Sequence, residues 1–284
     1  MKRENIRGLL AAIVLATAAS YCSAIDALVY KQVSKRVSTD AVGKQHEETL
    51  HQTVYASKNA LRTETAEISP VTIVRLDERI IYQFDPLKNV YVAMPIEALA
   101  RDVEKHKEVL KTFYENMSRE KKERLAVVLG ESRARPKMMD EGRGGVISGY
   151  PTRKLAFYEN GQLRMELWVT EKFRIETDTA PLLAATGEFS DGLLTLVRAE
   201  RGVAMRSRVY PVLEIHPYVE NEVTEITRKP VADEMFRVPQ GLTRVETLEK
   251  PAKGSAGAEQ GEKAEVPLPE TVTPDDSQDA PLPQ

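Results

Sequence analysis

Alternating apolar and polar residues dominate the middle of the chain and predict β-strands. Val, Ile, Tyr and Thr fill short runs, and turn residues separate these runs at a spacing of roughly ten residues. The predicted strands read TLHQTVYAS, ALRTETAEI, VTIVRLD, RIIYQFD, VYVAM, EKFRIETD, GVAMRSRVYPVLEIH and NEVTEITRK. This pattern is typical of an antiparallel meander rather than of repeated strand–helix–strand units.

Two segments interrupt the strand pattern with helical spacing. Residues 96–130 carry apolar side chains every three to four positions, at Leu99, Val103, Leu110, Phe113 and Met117. This spacing predicts one amphipathic helix or a broken pair of helices. Residues 180–199 predict a shorter helical insertion that is interrupted at Gly187 and Gly192. Helices packed against one side of an antiparallel sheet give an α+β fold.

The central hairpin turns at Asn160-Gly161, a dipeptide that strongly indicates a two-residue β-turn. Pairing outward from this turn predicts an apolar face that points to the core or to a cavity. We hypothesise that four residues of this hairpin line a hydrophobic groove, with simple packing under the helices as the alternative: Tyr158, Leu163, Met165 and Leu167. On the opposite face, Arg153 is expected to pair with Trp168 in a structural cation–π contact, with a ligand-contacting role for the two residues as the alternative.

The first 24 residues have the features of a signal peptide. A basic start precedes an apolar run of about 13 residues, shorter than the about 20 that a membrane-spanning helix needs. Small residues at Cys22 and Ala24 predict cleavage after Ala24 and export to the periplasm. The alternative is a membrane-anchored lipoprotein lipidated at Cys22, although the bulky Tyr21 fits that processing motif poorly. Cleavage after Ala24 would leave no cysteine, and therefore no disulfide or thiol chemistry.

The last segment, residues 251–284, is rich in Pro, Gly, Ala and acidic residues and predicts a disordered acidic tail. The chain has a formal net charge of -3, of which residues 1–24 hold +2 and the tail holds -5. Residues 25–250 are therefore neutral and offer no electrostatic footprint for nucleic acid. We expect residues 25–250 to form a single domain, and the protein to be a monomer that does not span a membrane.

Candidate catalytic and metal-binding motifs are incomplete. Ser118 and Lys121 match S-x-x-K, but the S-D-N and K-T-G motifs of that enzyme class are missing, so Ser118 is expected to cap a helix. The four histidines match no metal-binding spacing. Gly142–Gly145 lacks the context of a phosphate-binding loop and is interpreted as a flexible connection. We therefore predict a non-enzymatic protein with no catalytic residue, no metal and no cofactor.

Three motifs in a fixed order resemble a known superfamily: TIVRLDERIIYQFDPLKNVYVAMPI, ISGYPTRKLAFY followed by MELWVT, and MFRVPQGL. Together they resemble extracytoplasmic domains related to the outer-membrane lipoprotein carriers LolA and LolB, over about residues 28–245. The resemblance implies a strongly curved antiparallel sheet, a half-barrel, with helices packed on its concave face. The long charged helix and the acidic tail depart from the carriers, and no ligand-binding residue is transferred from them.

The resemblance implies two alternative functions. The carriers hold acyl chains in the concavity of the sheet, which implies a periplasmic binding or carrier-like protein for a lipid or a lipoprotein acyl chain. A related periplasmic regulator uses the same fold for protein sensing. The alternative is therefore a cell-envelope interaction or sensing module without a small-molecule ligand, which contacts an envelope protein through residues 96–130 or through the tail.

Overall fold

The structure, a computed structural model, describes residues 24–39, 44–67, 69–212 and 218–248. The predicted signal peptide up to residue 23, including Cys22, and the predicted acidic tail lie outside these ranges. Ala24 is the first residue of the first strand, where it pairs with Ala232. Among the described helices, none is both long enough and apolar enough to cross a membrane.

The described residues form one sheet of twelve strands. In chain order the strands are β1 (Ala24–Thr39), β2 (Gln45–Ala56), β3 (Ala60–Thr65), β4 (Val71–Arg75), β5 (Ile80–Asp85), β6 (Val90–Pro95), β7 (Pro136–Ile147), β8 (Tyr150–Glu159), β9 (Gln162–Arg174), β10 (Gly202–Val209), β11 (Tyr218–Ala232) and β12 (Thr243–Arg244). Their spatial order is β12-β6-β5-β4-β3-β2-β1-β11-β10-β9-β8-β7. Neighbouring strands are antiparallel, apart from the short parallel pair of β12 and β6. The linear order leaves the sheet open, with β7 and β12 at its two edges.

The helices fall in the two segments that the spacing predicted. They are α1 (Ile96–Tyr114), α2 (Arg119–Leu125), α3 (Ala180–Ala185) and α4 (Asp191–Ala199), and a 3-10 helix covers Asp233–Phe236. Ser118 caps α2, because its side chain accepts a hydrogen bond from the Lys121 amide, as predicted. Gly187, with a positive φ of 65°, lies between α3 and α4, whereas Gly192 lies inside α4 and does not interrupt it.

The helices pack against one face of the sheet. On β4 and β5, the buried pair Val74 and Ile81 contacts Ile96 of α1 and Ala185 of α3. On β8 and β9, Leu193 of α4 packs in a second buried cluster with Leu155, Phe157, Met165, Leu167 and Val169. The prediction of an α+β fold built on a curved antiparallel sheet is confirmed.

The curvature comes from β-bulges, which bend a strand and increase its twist. The register shifts in the pairings of β7 with β8, β8 with β9, β9 with β10 and β1 with β11. The β7–β8 turn consequently reaches β11, although β9 and β10 lie between β8 and β11 in the sheet. There the Ser148 hydroxyl donates a 2.6 Å hydrogen bond to the carbonyl of Val223.

The glycine-rich segment Gly142–Gly145 lies inside β7 and pairs with β8, so its interpretation as a flexible connection is wrong. Glycine is required at position 144 because the backbone there lies close to two side chains. A Cβ atom at this position would lie 2.8 Å from the Trp168 ring and 2.8 Å from the Thr152 hydroxyl. The glycine therefore lets β7 pack directly on the only tryptophan of the chain.

Candidate functional site

The central hairpin follows the predicted register only next to its turn, where Tyr158 pairs with Leu163. A β-bulge at Arg164 then interrupts this register and shifts every later pair by one position. The observed pairs are Phe157 with Met165, Leu155 with Leu167, Lys154 with Trp168 and Arg153 with Val169. The prediction that Arg153 lies opposite Trp168 is therefore wrong, because the residue pattern gave no sign of the bulge.

The bulge places the four residues that were predicted to line one groove on two different faces of the hairpin. Met165 and Leu167 are buried on the face that the helices cover, and both line a cavity there. Tyr158 and Leu163 are only partly buried, and the shifted register places them on the opposite face of the hairpin. Contact of any of the four with a ligand stays a prediction.

The bulge residue Arg164 is the centre of a buried polar network. Its guanidinium donates a 2.7 Å hydrogen bond to Glu159 and a 2.6 Å hydrogen bond to the main-chain carbonyl of Glu188. Glu159 also accepts a hydrogen bond from the Ser190 amide, and Glu188 accepts one from the Val212 amide. Because these carboxylates are satisfied while buried, the network fixes the α3–α4 connection to the hairpin.

The opposite face of the hairpin carries Trp168 between two cations. Lys154 Nζ lies 5.1 Å and the Arg206 guanidinium 5.4 Å from the centroid of the Trp168 ring. Lys154 Nζ also lies 2.7 Å from Glu166 and 2.9 Å from Glu141, and these hydrogen bonds raise the pKa of Lys154. Every charge named here has a partner of opposite sign or a ring, so this face has the character of a structural ladder.

Arg153 is part of a separate ion-pair group. Its guanidinium donates 2.8 Å hydrogen bonds to Asp140 and to Glu200. The hydrogen bond to Asp140 is the main cause of the raised pKa of Arg153. The structure therefore assigns the ring contact predicted for Arg153 to its neighbour Lys154 instead.

A cavity of about 580 Å³ lies between the sheet and the helices, which is within the range of about 300–1,000 Å³ typical of small-molecule sites. β9 and β10 form one wall, and α3, α4 and residues 175–179 form the other. The apolar lining consists of Met165, Leu167, Val169, Ile175, Ala180, Leu183, Leu194, Val197, Val203, Ala204 and Val209. The cavity can therefore remove an apolar ligand from water without any specific polar motif.

On the strand side of the cavity, two uncharged polar side chains interrupt the apolar wall. Asn221 on β11 donates a 3.4 Å hydrogen bond to the Ser207 hydroxyl on β10, and both residues line the cavity. The connection of residues 175–179 that covers the cavity is anchored to the sheet, because the buried Thr177 hydroxyl donates to the carbonyl of Ser57. The cavity wall therefore joins parts of the chain that are about 120 residues apart.

Several lining residues were not predicted from the sequence, notably Leu194, Val197, Ala204, Ser207 and Asn221. The apolar positions of residues 193–197 were a signal for a buried helix face but not for a cavity beneath it. Ser207 and Asn221 gave no signal, since single polar residues in strands usually face solvent. Within the ranges that the structure describes, no group of three or more His, Cys, Asp or Glu side chains is placed to hold a metal ion.

No protein-family model matches the chain, and no curated protein matches it. Solved structures do match. A conserved protein of Thermus thermophilus, itself described as uncharacterized, is 12% identical with a TM-score of 0.39, and the match covers 83% of this chain and 98% of that one. The MucA/MucB complex of Pseudomonas aeruginosa matches at 11% identity with a TM-score of 0.34, over 78% of this chain and 58% of that one.

A LolA superfamily protein from Nitrosomonas europaea also matches, at 10% identity with a TM-score of 0.29, over 75% of this chain and 90% of that chain. The superfamily that the sequence motifs resemble is therefore among the matching structures. At these identities and TM-scores the matches assign no ligand, partner or activity.

Proposed function

We propose that the protein is a non-enzymatic periplasmic binding or carrier-like protein, which holds a lipid or acyl ligand in the cavity beneath α3 and α4. The apolar lining of the cavity carries this proposal. Met165 and Leu167 are buried on the sheet side, and Leu194 is buried on the helix side. An acyl chain placed between these walls would exchange water for hydrocarbon along most of its length.

The expected affinity follows from the burial of methylene groups. Each methylene removed from water contributes about 0.8 kcal/mol, so a chain of about ten methylenes contributes about 8 kcal/mol. Association itself costs about 4 kcal/mol or more. The net gain is therefore about 4 kcal/mol or less, and because a Kd of 1 mM corresponds to about 4 kcal/mol, we expect a Kd that is millimolar or weaker for a chain of this length.

Ala204→Phe tests the proposal, because Ala204 is a small residue on the cavity wall. The phenyl ring would occupy the space beside Val169, the residue with which Ala204 pairs. We expect at least about a tenfold loss of affinity for a displaceable fluorescent fatty-acid probe, equivalent to about 1.4 kcal/mol. Circular dichroism and thermal melting establish that the variant is folded.

Ala199→Phe is the matched control, since Ala199 is exposed at the end of α4 and does not line the cavity. It should bind the probe as the wild-type protein does. Equal losses in the two variants, or no probe binding by the wild-type protein, would contradict the proposal. Native mass spectrometry of protein purified from the periplasm adds a second test, because a groove in use should retain a lipid mass.

Export rests on the predicted signal peptide, and the mass of the mature protein tests it. Cleavage after Ala24 and lipidation at Cys22 give different intact masses, because lipidation retains Cys22 and adds covalently bound acyl chains. We expect a mature chain that begins at Ile25, followed by one domain up to residue 250 and the acidic tail. A mass that includes residues 1–24 would contradict export by this signal.

The second candidate function is an envelope protein-interaction module, which two exposed apolar residues of α1 favour. Val109 and Phe113 are 55% and 58% exposed. They lie four residues apart, so they share one face of the helix. A photo-crosslinker at position 109 should then form an adduct with one envelope protein, while the same group at the exposed Arg101 should not. That result, together with protein that carries no lipid mass, would favour this function over ligand carriage.

A further inference from the structure

Charged side chains surround the mouth of the cavity. Three are carboxylates, at Glu176, Asp178 and Glu200, and two are guanidinium groups, at Arg198 and Arg201. Each of the three carboxylates already has a cationic partner. Asp178 lies 3.0 Å from Arg198, Glu200 lies 2.8 Å from Arg153, and Glu176 lies 3.7 Å from Arg228.

Arg201 differs from the other charged groups at the mouth. It is exposed, it lines the cavity, and it makes no hydrogen bond or ion pair with any residue in the described ranges. Among the charged residues that line the cavity, Arg201 is therefore the one whose side chain has no ion-pair partner within the described ranges. An anionic group placed there would gain an ion pair without breaking one that already exists.

The backbone beside Arg201 is fixed by close packing. Gly202 follows it at the start of β10, and a Cβ atom at Gly202 would collide with the side chain of Val169 and the carbonyl of Thr170. The chain therefore lies directly on β9 at this point. A guanidinium that starts from a fixed backbone loses less freedom when it binds a ligand than one on a mobile loop.

The interior of the cavity favours an apolar group at the other end of the ligand. Beyond the mouth, the polar side chains on the strand side of the cavity are Ser207 and Asn221, which are uncharged and hydrogen-bonded to each other. The other side chains of β9 and β10 that line the cavity are apolar. The cavity of about 580 Å³ therefore has room for an acyl chain, and its strand wall offers no charged partner to a head group.

We infer that the ligand is an anionic amphiphile, whose acyl chain enters the cavity and whose carboxylate or phosphate contacts Arg201 at the mouth. The inference rests on the proposed function and specifies its ligand class. Arg201 is a specificity-determining residue under this inference: it favours a charged head group over a neutral one of the same chain length. Arg198, which already pairs with Asp178, contributes less.

Competition binding with decanoate and decanol tests the inference at pH 7.5, because the two molecules share a chain and differ in head-group charge. An ion pair at an exposed site supports a preference for decanoate of about three- to fivefold at low salt. Arg201→Gln should abolish this preference by weakening decanoate only. Arg133→Gln removes an exposed arginine that does not line the cavity, and it should leave the preference unchanged. Addition of 0.5 M salt should reduce the preference of the wild-type protein.

The outcomes separate this inference from the proposed function. If both molecules bind equally well to the wild-type protein, or if Arg201→Gln keeps the preference, the head-group inference is wrong and ligand carriage stands. If neither molecule displaces the probe, the proposed function fails and the inference fails with it. A sodium decyl phosphate arm distinguishes a carboxylate head group from a phosphate head group by their relative affinities.

Discussion

Arg164→Met probes the buried network that fixes the α3–α4 connection over the hairpin. The Arg164 side chain is only 3% exposed, and it bridges Glu159 and Glu188, whose side chains are 1% and 8% exposed. Methionine keeps a long, flexible apolar side chain and removes the charge. The substitution therefore leaves two carboxylates buried without the guanidinium that offset them.

The magnitude follows from the cost of an unpaired buried charge. Removal of one partner from a buried ion pair costs about 3–5 kcal/mol. The amides of Ser190 and Val212 still donate to the two carboxylates, which places the expected loss near the lower end of that range. Since a domain of this kind is stable by about 5–15 kcal/mol, the variant should fold but unfold at a lower urea concentration.

Urea unfolding followed by tryptophan fluorescence measures the loss, because the chain has a single tryptophan, Trp168, inside the sheet. Arg153→Met is the matched control. Arg153 also bridges two carboxylates at 2.8 Å, but its side chain is 36% exposed. The control should lose less than about 1 kcal/mol.

A loss below about 1 kcal/mol in Arg164→Met, or equal losses in the two variants, would show that burial does not set the cost of an unpaired carboxylate at this site. The triple variant with Glu159→Gln and Glu188→Gln provides a further check. It removes the buried charges together, so it should be more stable than Arg164→Met alone. A triple variant that is less stable would show that packing rather than charge governs the site.

Two further predictions concern the core. Burial raises the pKa of Tyr30 to about 12 from its ordinary value of 10.0, so the stabilisation that the neutral phenol contributes is fully present below pH 10 and is lost as the pH rises through 12. Thermal melting from pH 8 to 12 should therefore show a smaller decrease in melting temperature for Tyr30→Phe than for the wild-type protein. An equal decrease would contradict this assignment. Gly144→Ala should lower the free energy of unfolding by about 1–3 kcal/mol and shift the fluorescence emission of Trp168, because the added methyl group meets the ring. Unchanged emission and stability would show that β7 can move to accommodate the methyl group without loss of stability.

The sequence was informative where a signal is local. The Asn160-Gly161 turn has the positive φ values of 50° and 82° that this dipeptide favours. The helical spacing located α1 and α2, and the Ser118 cap was correct because capping involves only the next few residues. Local patterns failed for two long strands, β1 and β7, which were not among the predicted strands. β7 carries glycines and charges that are unusual in a strand, and its partners, rather than its own residues, hold it extended.

The candidate site also could not be predicted from local patterns. Met165 and Leu167 were expected to share a face with Tyr158 and Leu163, and a strict alternation of two supports that expectation. One extra residue, Arg164, reverses it. A bulge is stabilised by what its side chain meets, here Glu188 in a different part of the fold, so the hairpin sequence alone carries no mark of it.

The strand-rich α+β class, the central turn and the location of the helices could be predicted from the sequence, because each depends on residues that are close in the chain. The register beyond the bulge, the burial of Arg164 and the cavity with Arg201 at its mouth could be seen only in the folded chain. These features depend on contacts such as Thr177 with Ser57, and β1 with β11, which join distant parts of the chain. Burial and pairing across such distances set the energy of each arrangement, and a local pattern of apolar and polar residues does not encode them.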